Sequence, residues 1–591
     1  MHQLLEQRLR SAVASVLPDA DLSSVLVRPC PDPRFGDYQT NALMGLAKAR
    51  RLNPRQVAAE VLSRLDVGDY CDRVEVAGAG FLNFRLKPAA VERVLTEAQA
   101  TGRLFYVQAA HPKTVVVDFS SPNVAKPMHV GHIRSTVLGD ALSRTLRLLG
   151  HRVITDNHLG DWGTQFGMLL VGWKTMLDRD RLAADPLAEM ERLYKSVSGR
   201  CDPERPGFEA ATLENARAEL VKLQSGDPEN LGIWREMIRL SQAQFDALYG
   251  RLGVRFDHTY GESFYNSLLP GVVETLMRAG VAVESRGAKA ILSDGSVPPK
   301  EDPFLIFRDG EWIANPFIIQ KQDGGYNYAT TDLATLQYRV ETWKADEIVY
   351  VTDGRQQLHF RQLFAAFRRW RPEIRVRLAH VWFGSILGED GKPFKTRSGE
   401  TVRLAELLDE AEERAFKVVS EKSPEFPEDK RRAIARVVGI GAVKYADLLP
   451  NRQSDYVFSW DKLLALNGNT APYLQYAYAR IRSIFRKGGA AAPPIGGGVQ
   501  VLLQTPEELA LAKHLLGFGL VLEAVAEEYR PNFLCNYLYD LAGRFTSFYE
   551  ACPVLKAEPA QRESRLVLCE LTARVLSQGL DVLGIQTLEE M

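Results

Sequence analysis

Thr114-Val115-Val116-Val117 is a β-branched run of the kind that fills a buried strand, and it feeds through a polar loop into a long helix-periodic segment. In that segment Ile133, Val137, Leu138, Ala141, Leu142, Leu146 and Leu149 recur at helical spacing until Gly150, a C-terminal cap. His151-Arg152-Val153-Ile154-Thr155 then reads as a second strand. Strand, helix and strand in this order predict a parallel, right-handed crossover, which commits this part of the chain to an α/β sheet. The polar loop carries His129-Val130-Gly131-His132. A strand entering a helix through such a loop aims backbone N–H groups and the positive helix end at its crevice, so an anion is favoured there. Two imidazoles suit triphosphate chemistry, because they donate hydrogen bonds to oxygens whose charge grows in a displacement at phosphorus. Gly131 is expected to let a planar base approach the backbone.

The chain has 591 residues, more than one hydrophobic core serves, and several domains are expected. Residues before about 108 begin with a helix (Leu4 to Val16) and pass through a Pro/Gly-rich stretch from Pro29 to Gly36. They finish with the alternating Phe81-Leu82-Asn83-Phe84-Arg85-Leu86, which reads as a small α+β module. From about 175 to 255 the pattern is helical and charged, ending in an amphipathic helix from Ile233 to Leu252, and reads as an insertion that splits the sheet. Strand-like runs at Phe304-Leu305-Ile306-Phe307, Glu347 to Val351 and Leu378 to Phe383 are expected to complete that sheet. Beyond about Leu404 the chain reads helical, interrupted by a Gly/Ala/Pro loop from Gly488 to Gly498.

Six scattered cysteines include no C-x-x-C pair, which fits free thiols in a reducing cytoplasm. No apolar stretch is expected to span a bilayer, and the N-terminus mixes Glu6, Arg8 and Arg10 into an amphipathic pattern without a signal-peptide core. A net charge of -1 neither supports nor excludes RNA, whose footprint is a local basic patch. There is no G-x-x-x-x-G-K-[ST] loop and no complete G-x-G-x-x-G opening a helix, which disfavours P-loop and dinucleotide folds.

The run Ser120-Ser121-Pro122-Asn123-Val124-Ala125-Lys126-Pro127-Met128-His129-Val130-Gly131-His132-Ile133-Arg134-Ser135-Thr136 resembles the signature of arginyl-tRNA synthetases, within class I aminoacyl-tRNA synthetases. The resemblance continues through Asn157-His158-Leu159-Gly160-Asp161-Trp162-Gly163-Thr164-Gln165-Phe166-Gly167, Tyr328 to Ala334 and Asp353 to His359, then Thr470 to Ala477 and Phe548 to Leu555. It implies a multidomain α/β protein: an N-terminal α+β tRNA-binding module (1–108), a Rossmann-like parallel-sheet catalytic domain (109–455) and a C-terminal α-helical anticodon-binding bundle (456–591). It also implies ATP-dependent activation of L-arginine and transfer to the 3′ end of its tRNA, with activation dependent on bound tRNA. The alternatives are another class I synthetase or a catalytically inactive tRNA-binding paralogue; amino-acid-dependent ATP–pyrophosphate exchange separates them.

A substrate with an always-ionised planar fork calls for carboxylates. Asp332 is the first choice for the guanidinium, with Tyr328 four residues earlier on the same helical face. Asp118, Asn123 and Gln356 match family positions for the α-amino and other polar groups. The competing reading is that Asp118 ends a strand and Asp332 caps a helix. Lysine, without the fork, leaves a carboxylate lone pair unpaired at about 1–3 kcal/mol.

The Lys-Met-Ser-Lys-Ser loop of the class I pattern corresponds here to Gly391-Lys392-Pro393-Phe394-Lys395-Thr396-Arg397-Ser398-Gly399, which keeps its basic and hydroxyl character without the literal motif. Lys392, Lys395 and Arg397 are expected to share the charge on the triphosphate, with Lys126 acting from the opposite side. His129, His132, Lys126 and Lys395 are the candidate catalytic residues, and Gly131 and His359 join the ATP site. Mg²⁺ is expected to bind through the ATP phosphates, without a protein metal cage. For tRNA, Phe81 and Asn83 offer stacking and edge recognition in the N-terminal module. Tyr473 and Arg480 lie about two helical turns apart, and Tyr549 and Met591 match family positions near the anticodon. A core role is the competing reading for the aromatic residues. A monomer without membrane contact is the family expectation.

Overall fold

The computed structural model describes residues 1–394, 401–488 and 493–591. The chain forms two compact units, one of Met1–Val107, Ala465–Asp581 and Gln586–Met591, the other of Gln108–Leu464 and Val582–Ile585. In the second unit four strands, β1 (Thr114–Asp118), β2 (Arg152–Asp156), β3 (Glu347–Tyr350) and β4 (Arg377–His380), form a parallel sheet of order β4-β3-β1-β2. Val115, Val116 and Val117 are fully buried, as a strand covered on both faces requires. Helix α1 (Val130–Leu148) makes the predicted crossover from β1 to β2. The chain leaves β1 for β2 on one side and later places β3 on the other side, so the strand order reverses there. Ligands of open α/β sheets bind at such a reversal, outside the carboxyl ends of the strands.

The insertion is helical as expected. Its members include α2 (Pro186–Cys201) and α3 (Pro228–Leu252), N-capped by Asp185 and Asp227, with α3 ended by Gly253 in the left-handed conformation. Beyond it, α4 (Tyr328–Glu341) and α5 (Gln357–Trp370) flank β3. The run at Phe304–Phe307 does not join the parallel sheet. Leu305–Arg308 pairs with Glu311–Ala314 in a separate two-stranded hairpin, leaving Phe304 in the core. The reason is local: Asp309-Gly310 is a two-residue turn with both residues at positive φ (52° and 88°), the chemistry that closes a hairpin.

In the first unit, an antiparallel sheet runs Arg28–Pro29, Tyr38–Thr40, Phe81–Leu86 and Cys71–Ala77 in spatial order, with helices including His2–Val16 and Pro88–Thr101. The C-terminal helices Ala471–Lys487, Pro506–Leu515, Phe518–Glu528, Asn532–Ala551 and Pro559–Val582 belong to the same unit. Against expectation, Pro506–Glu528 is long and apolar enough to cross a membrane by length and composition alone. It is two helices broken at Leu516-Gly517, and half of the apolar window is buried in the fold. Gly519 approaches the Phe105 carbonyl so closely that a Cβ there would stand 2.3 Å from its oxygen. None of the six cysteines is in a disulfide.

Candidate active site

The loop from Phe119 to Met128 is held in an unusual shape by polar contacts. Ser120, Ser121 and Ala125 have φ of 71°, 49° and 62°, a region that costs a side-chain-bearing residue about 1–2 kcal/mol each. The surrounding structure supplies the restraint. Ser120 N–H donates to Ser135 Oγ (2.8 Å), Ser121 N–H to Asn157 Oδ1 (3.0 Å) and Ala125 N–H to Ser241 Oγ of α3 (3.0 Å). Tyr249, also on α3, bridges Ser120 Oγ (2.8 Å) and Asn157 Nδ2 (3.1 Å) through its hydroxyl. The insertion therefore props the loop that carries the histidines.

His129 is the N-cap of α1, and the two imidazoles form a reciprocal capping box. His129 Nδ1 accepts from Gly131 N–H (3.0 Å), and His132 Nδ1 accepts from His129 N–H (3.1 Å), with ring centroids 4.1 Å apart. Both Nδ1 atoms are thus spent as acceptors, so each neutral ring carries its proton on Nε2. Burial lowers the His129 pKa, with Arg355 adding to the shift against Glu191; burial and His129 push His132 down to about 3. The pair therefore presents uncharged N–H donors at neutral pH.

This geometry amends two expectations. The first N–H groups of α1 are not aimed at an open anion site: Val130 N–H donates to Val402 O (3.0 Å), Gly131 N–H to His129 Nδ1 and His132 N–H to His129 O (2.8 Å). The donors offered here are the imidazoles. Gly131 has an intramolecular reason to be glycine, since a Cβ would lie 2.8 Å from His129 Cε1 and 2.9 Å from its Nδ1.

Leu404 N–H donates to Met128 O (2.9 Å), so the segment after the basic loop pairs antiparallel with the histidine loop at His129 and Arg403. Lys392 is exposed beyond a turn capped by Asp390. Lys395 and Arg397 lie outside the described residues. Helix α2 meets both flanks: Lys126 Nζ sits 4.6 Å over the Tyr194 ring, and Arg403 pairs with Asp185 (3.2 Å) and Glu191 (3.7 Å).

The acidic side of the crevice is built on α4. Tyr328 opens that helix and is 61% exposed; Asp332 is half-buried one turn later. His359 was expected with ATP, but its Nε2 contacts Asp332 Oδ2 at 2.5 Å and its ring meets Tyr328 edge-on at 4.9 Å. The cause is its place in the first turn of α5, beside Phe317 and Tyr328. Asp118 is 4% exposed, its Oδ2 ion-paired to Arg339 (2.6 Å) and its Oδ1 accepting from Ser121 Oγ (3.0 Å). Asn123 and Gln356 are exposed at the loops following β1 and β3. Asn123 Oδ1 covers Gly160 so closely that a Cβ there would stand 2.2 Å away.

Glu262 escaped the sequence reading. It opens the four-residue helix Glu262–Tyr265, and its backbone N–H donates to Leu159 O. Burial pushes its carboxyl up to about 7, partly offset by His158, while the charges of Asp332 and Asp161 raise it further. Asp161 in turn accepts from Ser263 N–H (2.8 Å) and Oγ (2.6 Å). Two carboxylates whose charges bear on each other in this way favour a cation near both. Its only sequence signal was the Gly261-Glu262 step after the insertion, which carries no periodicity.

Of the residues expected at tRNA, Asn83 stands on an inner strand between Gln39 and Glu75 and is 7% exposed, while Phe81 is half-buried at the same strand's start. In the C-terminal helices Arg480 stacks over Tyr549 at 4.9 Å, and Tyr473 meets Tyr539 at 5.6 Å. Tyr476, not singled out from sequence, is 47% exposed on the same helix. Met591 is half-buried.

Three family profiles match the chain. "tRNA synthetases class I (R), catalytic domain" matches residues 94–460, "Arginyl tRNA synthetase N terminal domain" residues 3–86 and "DALR anticodon binding domain" residues 474–591. An arginine–tRNA ligase from Hahella chejuensis is 47% identical over 598 residues, covering 100% of each chain. One from Escherichia coli O157:H7 is 46% identical over 100% of this chain and 99% of its own. Among solved structures, an arginyl-tRNA synthetase from Plasmodium falciparum superposes with a TM-score of 0.82 at 27% identity, over 100% of this chain and 99% of that one. The Thermus thermophilus arginyl-tRNA synthetase gives 0.80 at 27% identity over 100% of both.

Proposed function

This chain belongs to the arginyl-tRNA synthetases, which activate L-arginine with ATP and transfer the arginyl group to tRNA, and from that premise we propose how its side chains divide the work. The substrate guanidinium lies against Asp332, oriented by His359, and against Glu262, whose carboxyl ionises fully when the cation arrives. Tyr328 walls the opening, and Asn123 and Gln356 face the α-amino end. Asp118 acts indirectly, holding the start of the loop through Ser121.

ATP enters as its Mg²⁺ complex, the metal being part of the substrate. The arginine carboxylate oxygen attacks the α-phosphorus, a new O–P bond forms, and the bond to the β-phosphate oxygen breaks as pyrophosphate leaves. His129 and His132 donate from Nε2–H to phosphate oxygens, gaining strength as charge accumulates there, without a change in their own charge. Lys126, Lys392, Lys395 and Arg397 supply the positive charge that accompanies the leaving group. The ribose hydroxyl at the tRNA 3′ end then attacks the arginyl carbonyl carbon and AMP departs. The stretches 1–108 and 456–591 hold the tRNA, with Arg480 and Tyr549 as a stacked pair for a splayed base. We take the enzyme to work as a monomer in the cytoplasm without membrane contact, as the family resemblance implies.

The observation that carries the assignment is Asp332 on the first turns of α4, half-buried and held by His359 (2.5 Å), with its charge reaching the Glu262 carboxyl. Asp332→Ala is expected to weaken arginine-dependent ATP–pyrophosphate exchange, measured with tRNA present, by about 10³-fold, as removal of a partner from a desolvated ion pair does, with ATP KM unchanged. Near-normal exchange by that variant sinks the assignment.

A further inference from the structure

Arg339 is a fully buried guanidinium for which the reaction just described has no use. It lies on α4, seven residues beyond Asp332 and so two turns along the same face. One nitrogen, Nη2, stands 2.6 Å from Asp118 Oδ2 and 2.7 Å from Asp156 Oδ2. Those carboxylates end β1 and β2 and are direct partners in the parallel register. The guanidinium lies 5.2 Å from the centre of the Tyr350 ring on β3, with Tyr265 also facing it. Three of the four sheet strands and the helix bearing the arginine pocket thus converge on one cation.

Two features argue against a purely structural part. A buried ion cluster is a poor source of stability, because desolvation consumes most of its Coulomb energy and an apolar replacement of equal volume is commonly as stable. The cluster also reproduces the chemistry of the substrate site: a guanidinium on a carboxylate pair, on the same face of the same helix. Without Arg339, Asp118 and Asp156 would be left as a buried, uncompensated acidic pair beside α4. Burial and Asp118 raise the Asp156 pKa, and Arg339 and His158 oppose the rise.

We propose that Arg339 is a positioning residue that sets where arginine binds, by filling the Asp118–Asp156 pair with a guanidinium of the protein's own and pinning α4 so that Asp332 faces the substrate. The proposal rests on the arginine-pocket reading above. Asp118 also holds Ser121 at the start of the histidine loop, but that loop has further holds in Ser135, Asn157 and Ser241 and the histidines are fixed by the cap of α1, so the larger effect falls on arginine rather than on ATP.

The test measures arginine and ATP KM by tRNA-dependent pyrophosphate exchange in Arg339→Met, Arg339→Lys and the double variant Arg339→Met/Asp156→Asn, with Asp332→Asn in parallel. Arg339→Met should raise arginine KM about tenfold or more and leave ATP KM within about twofold. Arg339→Lys, a point charge without the fork, should fall between Arg339→Met and wild type. The double variant, which removes one of the two carboxylates left without a partner and so restores the net charge of the cluster, should recover most of the arginine KM. Equal rises in both KM values, or an unchanged arginine KM in soluble Arg339→Met, overturn the proposal. If Arg339→Met does not fold, Arg339→Lys decides it by the same split between the two KM values. An Asp332→Asn enzyme with normal arginine KM breaks the underlying pocket reading instead, so the two failures are distinguishable.

Discussion

The two sides of the crevice meet opposite charges by opposite means. On the nucleotide side, His129 and His132 are held neutral by burial and oriented by their backbone hydrogen bonds, and they offer directed N–H groups beside a loop with three left-handed residues. On the arginine side, Asp118 and Asp156 end strands around the buried Arg339, while Asp332 and Glu262 stand on helices, Asp332 against His359. An anion whose charge moves during the reaction is served by preorganised dipoles, which need no counterion. A cation of constant charge is served by fixed carboxylates, and the protein must then manage their repulsion when the site is empty. Glu262, poised near neutrality, shows that management.

The sharpest break of the comparison is His132→Ala, which removes an Nε2 donor and one half of the capping box. It should slow single-turnover adenylate formation by about 10²–10³-fold with arginine KM little changed. A matching loss in arginine affinity would mean that the two sides are not separate.

Glu262 offers a pH test of smaller size. Its carboxyl titrates at about 7 in the free enzyme, and a bound guanidinium favours the ionised form. Arginine KM should therefore rise as pH falls below about 7 and level off above it, and Glu262→Gln should raise KM about tenfold while flattening that slope. The same shift bears on folding. Because the folded state holds this proton more tightly than the unfolded chain, Glu262 contributes less stability as pH rises from its ordinary 4.5 through 7.

Gly131→Ala should act more mildly. Its Cβ would meet the His129 ring at 2.8 Å, so the ring must turn and its Nε2 moves off line, for a loss of about tenfold or less in the rate of adenylate formation. Rapid-quench kinetics would read this, and an unchanged rate would show that the ring's position is not critical.

What the sequence disclosed follows from how local each feature is. β1, α1 and the histidine loop are contiguous, so periodicity and turn chemistry announced them. Phe304–Phe307 has a strand's composition, but composition does not say which sheet a strand joins; Asp309-Gly310 turned it back on Glu311–Ala314. Glu262 and Arg339 were invisible for a related reason. One opens a single-turn helix and the other is a mid-helix basic residue that reads as solvated, and only tertiary contacts place them beside Asp332 and Asp118. Asp118 itself was found, but its partner was not, and the partner alters its part. The support of the histidine loop by Ser241 and Tyr249 from α3 was equally out of reach.

The order β4-β3-β1-β2 also sets a timetable for a chain being synthesised from its N-terminus. Thr114, at the start of β1, donates its N–H to the Asp346 carboxylate 232 residues later, and at about 5–20 residues per second that partner emerges roughly 10–50 s after it. During this interval β1 has β2 on one side and a bare edge of valines on the other, the kind of edge that invites mispairing. The insertion helices are made in the same interval, and α3 supplies the Ser241 and Tyr249 contacts to the loop above that edge. A nascent chain therefore owns the histidine loop and its props well before it owns an arginine pocket.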